Sequence, residues 1–540
     1  MGFALSPRTK DLRLAAALGL DADAVLLNHT HFRNTLASLR TSDIQAEQAT
    51  IPIDHDDHSV GTYQNRYWVT TEYYKPGGPV FVYDVGESSA EDVAQTMLTN
   101  GSFFVEFLQE FNGIGLVWEH RYYGESLPFP VDIDTPPEHF KYLTNRQALA
   151  DLPYFAMTFS RDEFPGQDLT PKSTPWIMVG GSYSGMRAAF SRNEYPDYIY
   201  AAFASSAPVQ ARIDMSVYFD QVYRGMVAYG YGGCAKDLHA VHVYIDQQLA
   251  QNGTAADDIK RLFFGPGAEN NTNGDFTSAV DLIYINFQNF GMGGGDMGLG
   301  SLCEYLEQPP TNATTNQTAP ADGWAPYIGS KAVAERLASW PNLVPLVNGY
   351  FGDLNCKGQA NQSEPVSCDL AQRASNPDMI SWIWQFCSQW GFFQSDNLGP
   401  HSLLSRYESL EYQQLMCYRQ FPGAVESGAL PAHPDVDGVN KETGGWTMRP
   451  SNVYWSGGEF DPWRTLSPLS TEAFAPRGVN FTTEIPACGV STGEDQLFGY
   501  IMKDAEHCFD MNPTFEGGKA SREIFVNALH KWLPCFKKRY

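Results

Sequence analysis

Continuous apolar runs, rather than alternating ones, mark the strands of this chain. Tyr67-Trp-Val-Thr-Thr-Glu-Tyr-Tyr74, Pro79-Val-Phe-Val-Tyr-Asp84 and Gly113-Ile-Gly-Leu-Val-Trp118 are nearly unbroken apolar segments. Strands covered on both faces of a largely parallel sheet read this way. Between the last two, Ala90 to Phe111 carries its apolar residues at helical spacing, and Gln147 to Phe159 does the same. Trp176-Ile-Met-Val179 and Tyr200-Ala-Ala-Phe-Ala204 are two further apolar strands, with a helix-compatible stretch from Met186 to Asn193 between them. Strands alternating with helices predict an α/β fold.

The pattern changes after about residue 215. Residues 216–445 are rich in helix-like segments and loops, among them the glycine-rich Gly291 to Gly300 and the Pro/Thr/Asn stretch Pro309 to Ala321. Strand character returns at Asn452-Val-Tyr-Trp455 and Phe498-Gly-Tyr-Ile-Met502, and Ser521 to Trp532 reads as a closing helix. The expected organisation is therefore a leader of unknown role over 1–50 and the first part of an α/β domain over 51–215. A mainly helical inserted domain follows over 216–445, able to cap a cleft, and the α/β domain is completed over 446–540.

The chemistry centres on Val179-Gly-Gly-Ser-Tyr-Ser-Gly-Met186. A strand, a sharp turn and a helix with a serine at the apex make a nucleophile elbow, usually written G-x-S-x-G. Gly180, Ser182 and Ser184 hold the three fixed places, so serine replaces the last glycine and Gly185 follows it. An ordinary Gly-Ser turn before a helix has the same appearance until partners for the serine are found. A serine nucleophile needs a base, and the base needs an orienting carboxylate. In an α/β-hydrolase these follow the serine in the order acid, then histidine, each just after a late strand. Asp461, beyond the strand ending near Ser456, is the candidate acid, and His507, about five residues past the final strand, is the candidate base. The oxyanion would be held by the Tyr183 N–H and by a donor after an early strand, at Gly86 or Glu87 in Val85-Gly-Glu-Ser88. Spacing alone also fits a plain glycine turn at that second place.

Composition narrows the setting. The 540 residues carry a net charge of −26, which argues against nucleic acid or an anionic membrane as partner. No stretch is long and apolar enough to span a bilayer. The nine cysteines contain no C-x-x-C pair, so neither a zinc-site nor a thioredoxin-like pattern is present. N-glycosylation sequons stand at Asn28, Asn100, Asn252, Asn270, Asn312, Asn316, Asn361 and Asn480. Sequons together with scattered cysteines suggest a secreted or lumenal glycoprotein with several disulfides and one spare thiol. Arg8, Lys10 and Arg13 before the short apolar run Leu14 to Leu20 make a poor signal peptide, because Asp11 interrupts the basic region.

At these residues the chain resembles the proline-specific serine peptidases that include lysosomal Pro-X carboxypeptidase, dipeptidyl peptidase II and the fungal acid prolyl endopeptidases. The matching pieces are Asp54-His-Asp-Asp-His58 with Gly61-Thr-Tyr-Gln-Asn-Arg-Tyr-Trp68; Glu119-His-Arg-Tyr-Tyr-Gly-Glu-Ser126; the elbow; Ala204-Ser-Ser-Ala-Pro208; Trp384-Gln-Phe-Cys387 with Gly391-Phe-Phe-Gln394; and Asp461-Pro-Trp463. Ser-Tyr-Ser-Gly in the elbow and Gly444-Gly-Trp446 look most like the fungal members.

The resemblance implies an α/β-hydrolase fold with a helical domain inserted between nucleophile and acid. It implies cleavage after proline, usually at acidic pH, without cofactor or metal, in a secreted or vacuolar/lysosomal setting. It gives Ser182 as nucleophile, Asp461 as acid and His507 as base, with Met186 and Trp463 walling the proline pocket. Glu506 and Cys508 flank the histidine where many members have a small residue or a second histidine, and Val85-Gly-Glu-Ser88 departs from the commoner Gly-Asn-Glu-Gly. Glu119, His120 and Arg121 are expected to form a structural ion-pair cluster. The triad by itself also fits an esterase or a general serine carboxypeptidase. Endopeptidase, carboxypeptidase and dipeptidyl peptidase modes stay open, as do disulfide pairing and oligomeric state.

Overall fold

The structure, a computed structural model, describes residues 9–27, 29–39, 44–309, 319–352, 354–360 and 363–539. It divides into two compact units. One comprises Asn34–Ile213, Ser375–Gly391 and Phe421–Tyr540, the other Met1–Arg33, Asp214–Ala374 and Phe392–Gln420.

The first unit carries a nine-stranded sheet. Its strands are β1 (Glu47–Pro52), β2 (Thr62–Thr70), β3 (Val80–Asp84), β4 (Ile114–Trp118), β5 (Trp176–Gly181), β6 (Ala201–Ser205), β7 (Val453–Gly458), β8 (Asn480–Thr482) and β9 (Gln496–Met502). They lie in the order β1-β2-β4-β3-β5-β6-β7-β9-β8. β2 runs antiparallel to both its neighbours, and every pairing from β4 to β8 is parallel. This strand order, with the reversed second strand and a sharp turn from β5 into a helix at Ser182, is that of an α/β-hydrolase.

Burial explains why the central strands were legible. Every residue of β4, β6 and β7 is buried, as is β5 up to Gly180. A strand covered on both faces needs apolar residues at every position. One face packs on Phe103, Phe104 and Phe107 from the helix Phe103–Phe111, and on Phe525, Leu529 and Trp532 from the helix Glu516–Trp532. Phe107 and Phe203 meet edge to face at 6.2 Å, and Phe203 stacks on Phe525 at 5.2 Å.

Three expectations change. The expected helix from Ala90 to Phe111 is two helices, Glu91–Met97 and Phe103–Phe111, because Ser102 starts a new one by accepting the Val105 N–H through its hydroxyl. β2 begins at Thr62 rather than Tyr67. Its polar residues Asn65 and Arg66 are buried, with Asn65 donating to the Glu119 carbonyl and Arg66 pairing with the Glu119 carboxylate, so the strand extends before the apolar run that starts at Tyr67. The leader over 1–50, expected as helical or irregular, is helical at Thr9–Ala17, Ala22–Leu26 and His29–Leu39, but its last residues form the edge strand β1 instead.

The second unit is mainly helical, with Gly232–Gln251 its longest helix among the described residues. It starts near the expected boundary, at Asp214, but Ser375–Gly391 and Phe421 onward belong to the sheet-bearing unit instead. Aromatic packing holds them there: Phe140 stacks on Trp384 at 5.1 Å, and Tyr183 meets Trp382 at 5.1 Å. Disulfides join Cys234 to Cys303, Cys356 to Cys368 and Cys488 to Cys535; Cys387 and Cys417 are also disulfide-bonded, and Cys508 is free. The sequons at Asn100, Asn252, Asn270 and Asn480 are exposed, while Asn28, Asn312, Asn316 and Asn361 lie outside the described residues. No helix among the described residues is long and apolar enough to cross a membrane.

Candidate active site

Ser182 follows the last residue of β5 and precedes the helix Tyr183–Glu194. Its backbone has φ 63° and ψ −128°, a conformation that costs an L-residue energy and persists only where the surroundings enforce it. Two bonds enforce it here. The Ser182 N–H donates to the Ser205 carbonyl on β6 at 2.9 Å, and its carbonyl accepts the Met186 N–H at 3.0 Å.

The substituted glycine of the elbow has a physical reason. The Ser184 hydroxyl donates to the Gly181 carbonyl at 2.7 Å and accepts the Gly181 N–H at 3.0 Å, so this side chain ties the turn to itself. The close approach to the neighbouring strand falls one residue later: a Cβ on Gly185 would lie 2.6 Å from the Ser205 carbonyl oxygen. The glycine is displaced by one place, and the serine in its usual position acts as a brace.

The acid and the histidine come from two loops that are bonded to each other. Glu459 N–H donates to the Met502 carbonyl at 2.8 Å, Phe460 N–H to the Ala505 carbonyl at 2.9 Å, and Asp504 N–H to the Glu459 carboxylate at 3.0 Å. Asp461 then caps the short helical turn Pro462–Leu466, its Oδ1 accepting the Trp463 N–H at 2.9 Å. The same oxygen lies 2.8 Å from His507 Nδ1. An ionised carboxylate only accepts, so the proton sits on Nδ1 and leaves Nε2 as the basic nitrogen. Asp461 is fully buried and His507 is 5% exposed. Burial disfavours the imidazolium, but the Asp461 charge and Cys508 outweigh it and push the His507 pKa up to about 10.

His507 Nε2 is buried without a hydrogen-bond partner, so the bond to the Ser182 hydroxyl is not made in this structure. The two loops are nevertheless neighbours. Cys508 N–H donates to the Ser206 hydroxyl at 2.8 Å, one residue past the Ser205 carbonyl that holds Ser182. A Cβ on Gly181 would lie 2.9 Å from Cys508 Sγ. Catalytic hydrogen bonds are often long before substrate arrives.

Tyr183 is the first residue of its helix, so its N–H has no acceptor a turn behind it. Of the two loop amides expected to join it, Gly86 is already engaged: its N–H donates to Asp84 Oδ1 at 2.8 Å. This turns the Gly86 N–H toward the Asp84 carboxylate rather than toward an oxyanion. Met186 is fully buried on the first turn after the serine, and Trp463 is 3% exposed beside the acid.

The Glu119-His-Arg121 segment splits into separate roles. Glu119 pairs with Arg66 at 2.8 Å, and Arg121 pairs with Asp151, so both belong to ion pairs as expected. His120 does not. Its Nδ1 faces the Arg121 carbonyl at 2.6 Å and its Nε2 faces the Tyr183 hydroxyl at 3.1 Å. Burial holds its pKa well below the ordinary histidine value, so it stays neutral. Sequence reasoning also missed Asp84, Arg187 and Gln385. The available signal was Arg187, a charge inside the buried stretch Met186 to Phe190, which requires a buried partner.

The fold is that of the α/β-hydrolase class, with a serine elbow after β5. A family description, serine carboxypeptidase S28, matches residues 52–475. The chain belongs to that serine peptidase family. It is 29% identical over 478 residues to a probable extracellular serine carboxypeptidase of Arthroderma benhamiae, covering 82% of this chain and 62% of that protein, so it spans under two thirds of that relative's length. It is 27% identical to the serine protease vicPb of Bipolaris victoriae, covering 90% of this chain and 88% of that one. To the thymus-specific serine protease of Mus musculus it is 26% identical, covering 91% and 87%.

Proposed function

We propose that this chain is a secreted or lysosomal/vacuolar serine peptidase that cleaves peptides on the carboxyl side of proline. The observation that carries the chemistry is the His507–Asp461 contact at 2.8 Å, which leaves Nε2 basic and unpartnered beside a strained serine elbow. The Ser182 Oγ attacks the carbonyl carbon of the scissile bond as Nε2 takes the hydroxyl proton. The tetrahedral oxyanion is held by the Tyr183 and Glu87 N–H groups. As the C–N bond breaks, the proton passes from Nε2 to the leaving amine, and water repeats the sequence on the acyl-enzyme. Asp461 fixes the imidazole tautomer and stabilises the imidazolium.

Proline selectivity rests on the resemblance, supported by the buried side chains of Met186 and Trp463 beside the nucleophile and acid. A peptide is the only partner this reading needs. The disulfides support an oxidising compartment. An acidic working range is a further implication of the resemblance. With Asp461 favouring the imidazolium, it requires bound substrate to extend the effect of burial and drive His507 toward its neutral form.

The test is mass-spectrometric mapping of products from a proline-containing peptide, with Ser182→Ala alongside. Cuts after proline that vanish in Ser182→Ala support the reading. Retained turnover in that variant, or preference for a simple ester over any proline peptide, overturns it. Internal cuts, single C-terminal residues or N-terminal dipeptides among the products identify the mode.

A further inference from the structure

We propose that Asp84 is a positioning residue for the oxyanion hole, its carboxylate tying the β3 loop to the helix that begins at the nucleophile. The inference rests on the serine-peptidase reading and assigns a role to a residue outside the triad.

Asp84 is the last residue of β3 and is fully buried. Its two oxygens point to two different elements. Oδ1 accepts the Gly86 N–H at 2.8 Å, and Oδ2 accepts from Arg187 Nε at 2.9 Å. Arg187 stands on the helix Tyr183–Glu194 and is 1% exposed. One carboxylate therefore joins the loop that presents Glu87 to the helix whose first N–H belongs to Tyr183. An oxyanion hole works only if its two donors keep a fixed separation, since the stabilisation comes from dipoles set in place before the charge develops. The Asp84 carboxylate bridges the segments that carry those donors through two hydrogen bonds, one to each.

The loop and helix also meet directly. Gly86 has φ 73°, and a Cβ there would lie 3.2 Å from Ser184 Cβ and 3.3 Å from Ser184 N. A side chain at this place would push the loop off the elbow, and the bond from Asp84 holds Gly86 in this conformation. The helix end is fixed from its other side. Gln385 Nε2 donates to the Tyr183 hydroxyl at 2.7 Å, which leaves that hydroxyl to donate to His120 Nε2 at 3.1 Å. Tyr123 donates in turn to Gln385 Oε1. The β3 loop and the start of the helix are thus both held by buried side-chain hydrogen bonds.

An ion pair this buried is costly to break on one side alone, because the remaining charge is left without a partner. The first variant is therefore Asp84→Asn combined with Arg187→Met, which removes both charges and keeps the approximate shapes. Its kcat should fall about 10²-fold with KM within about threefold, the signature of a lost transition-state interaction. The rate of covalent labelling of Ser182 by a fluorophosphonate should fall by the same order. Should that variant not fold, Arg187→Lys keeps the charge pair but loses the Nε donor, and the same split between kcat and KM is expected at smaller amplitude. Either folded variant with wild-type kcat and wild-type labelling rate overturns the role of Asp84. Ser182→Ala run in parallel separates the two claims. If it is inactive while the Asp84 variant is unimpaired, only the positioning role fails. If it is as active as the wild type, the serine-peptidase reading fails first.

Discussion

His507 reaches Asp461 through Nδ1 at 2.8 Å, and the oxygen it meets is the one that also accepts the Trp463 N–H. The acid is held by its own loop, so the imidazole is oriented by a group that cannot swing away. The consequence for pH has a definite sign. The neutral imidazole is the working form, and the Asp461 charge favours the protonated one against the opposing effect of burial. In the free enzyme kcat/KM should therefore climb as pH rises, along a limb set by His507. Asp461→Asn removes the charge that raises the pKa, so the limb should move to lower pH. The plateau should fall by about 10⁴-fold as the tautomer is lost. A pH profile of kcat/KM for both proteins checks it, and a limb that stays in place would show that Asp461 does not set the base.

Ser184 braces the elbow by bonding both backbone groups of Gly181. It is 3% exposed, so water cannot replace those bonds cheaply. Ser184→Ala should lower stability by about 1–3 kcal/mol, the usual cost of stranding buried polar groups. Ser184→Gly restores the commoner motif but not the bonds, so it should recover little of the loss. Denaturant unfolding of the three proteins decides this, and an Ala variant as stable as the wild type would remove the brace from the account.

The strand–turn–helix at Ser182 and the parallel sheet were legible because each leaves a local trace. A strand buried on both faces is a run such as Ile114-Gly-Leu-Val-Trp118, and the turn at Ser182 is marked by Gly180, Gly181 and Gly185. What was not legible are the long-range pairings. Asp84 closes an apolar strand and looks like a strand-end charge until Arg187, 103 positions on, is brought to its carboxylate. The buried charge within β2 was equally hidden: Arg66 is polar in sequence but paired with Glu119 in the fold. The assignment of Ser375–Gly391 to the sheet-bearing unit depends on Trp382 and Trp384 finding Tyr183 and Phe140, which no periodicity reveals.

Cys508 is the free thiol among the described residues and is partly exposed, next in sequence to His507. Its sulfur borders Gly181, so an added group at that position has to enter the space of the elbow or displace the histidine loop. Treatment with iodoacetamide should modify this one cysteine and abolish turnover. Cys508→Ser should stay active and resist the reagent. Peptide mapping identifies the modified residue, and inactivation of Cys508→Ser at the wild-type rate would place the sensitive group elsewhere.

The helical unit should be more stable in acid than at neutral pH, for a reason that lies in Glu408. This side chain is 1% exposed. Its Oε1 accepts from the Thr277 hydroxyl at 2.9 Å and its Oε2 from Gln413 Nε2 at 2.8 Å. Burial outweighs these bonds and, with the Asp275 charge, raises its pKa from 4.5 to about 7. A carboxyl whose folded pKa exceeds its unfolded value binds its proton more tightly when folded. Below about pH 4.5 both states hold the proton and nothing is lost; as pH rises through 7 the folded state must give it up, and stability declines by roughly 3 kcal/mol. At the neighbouring His242–Asp281 contact at 2.7 Å the two partners act in opposite directions: burial raises the Asp281 carboxyl well above its usual range, which adds to the effect of Glu408, and lowers the His242 pKa to about 3, which costs stability as pH falls below 6.5. Glu408→Gln carries no titrating proton. Its unfolding free energy, measured by denaturant titration between pH 4.5 and 8, should fall less steeply than that of the wild type. Equal slopes for the two proteins would mean that Glu408 is already ionised in the folded state.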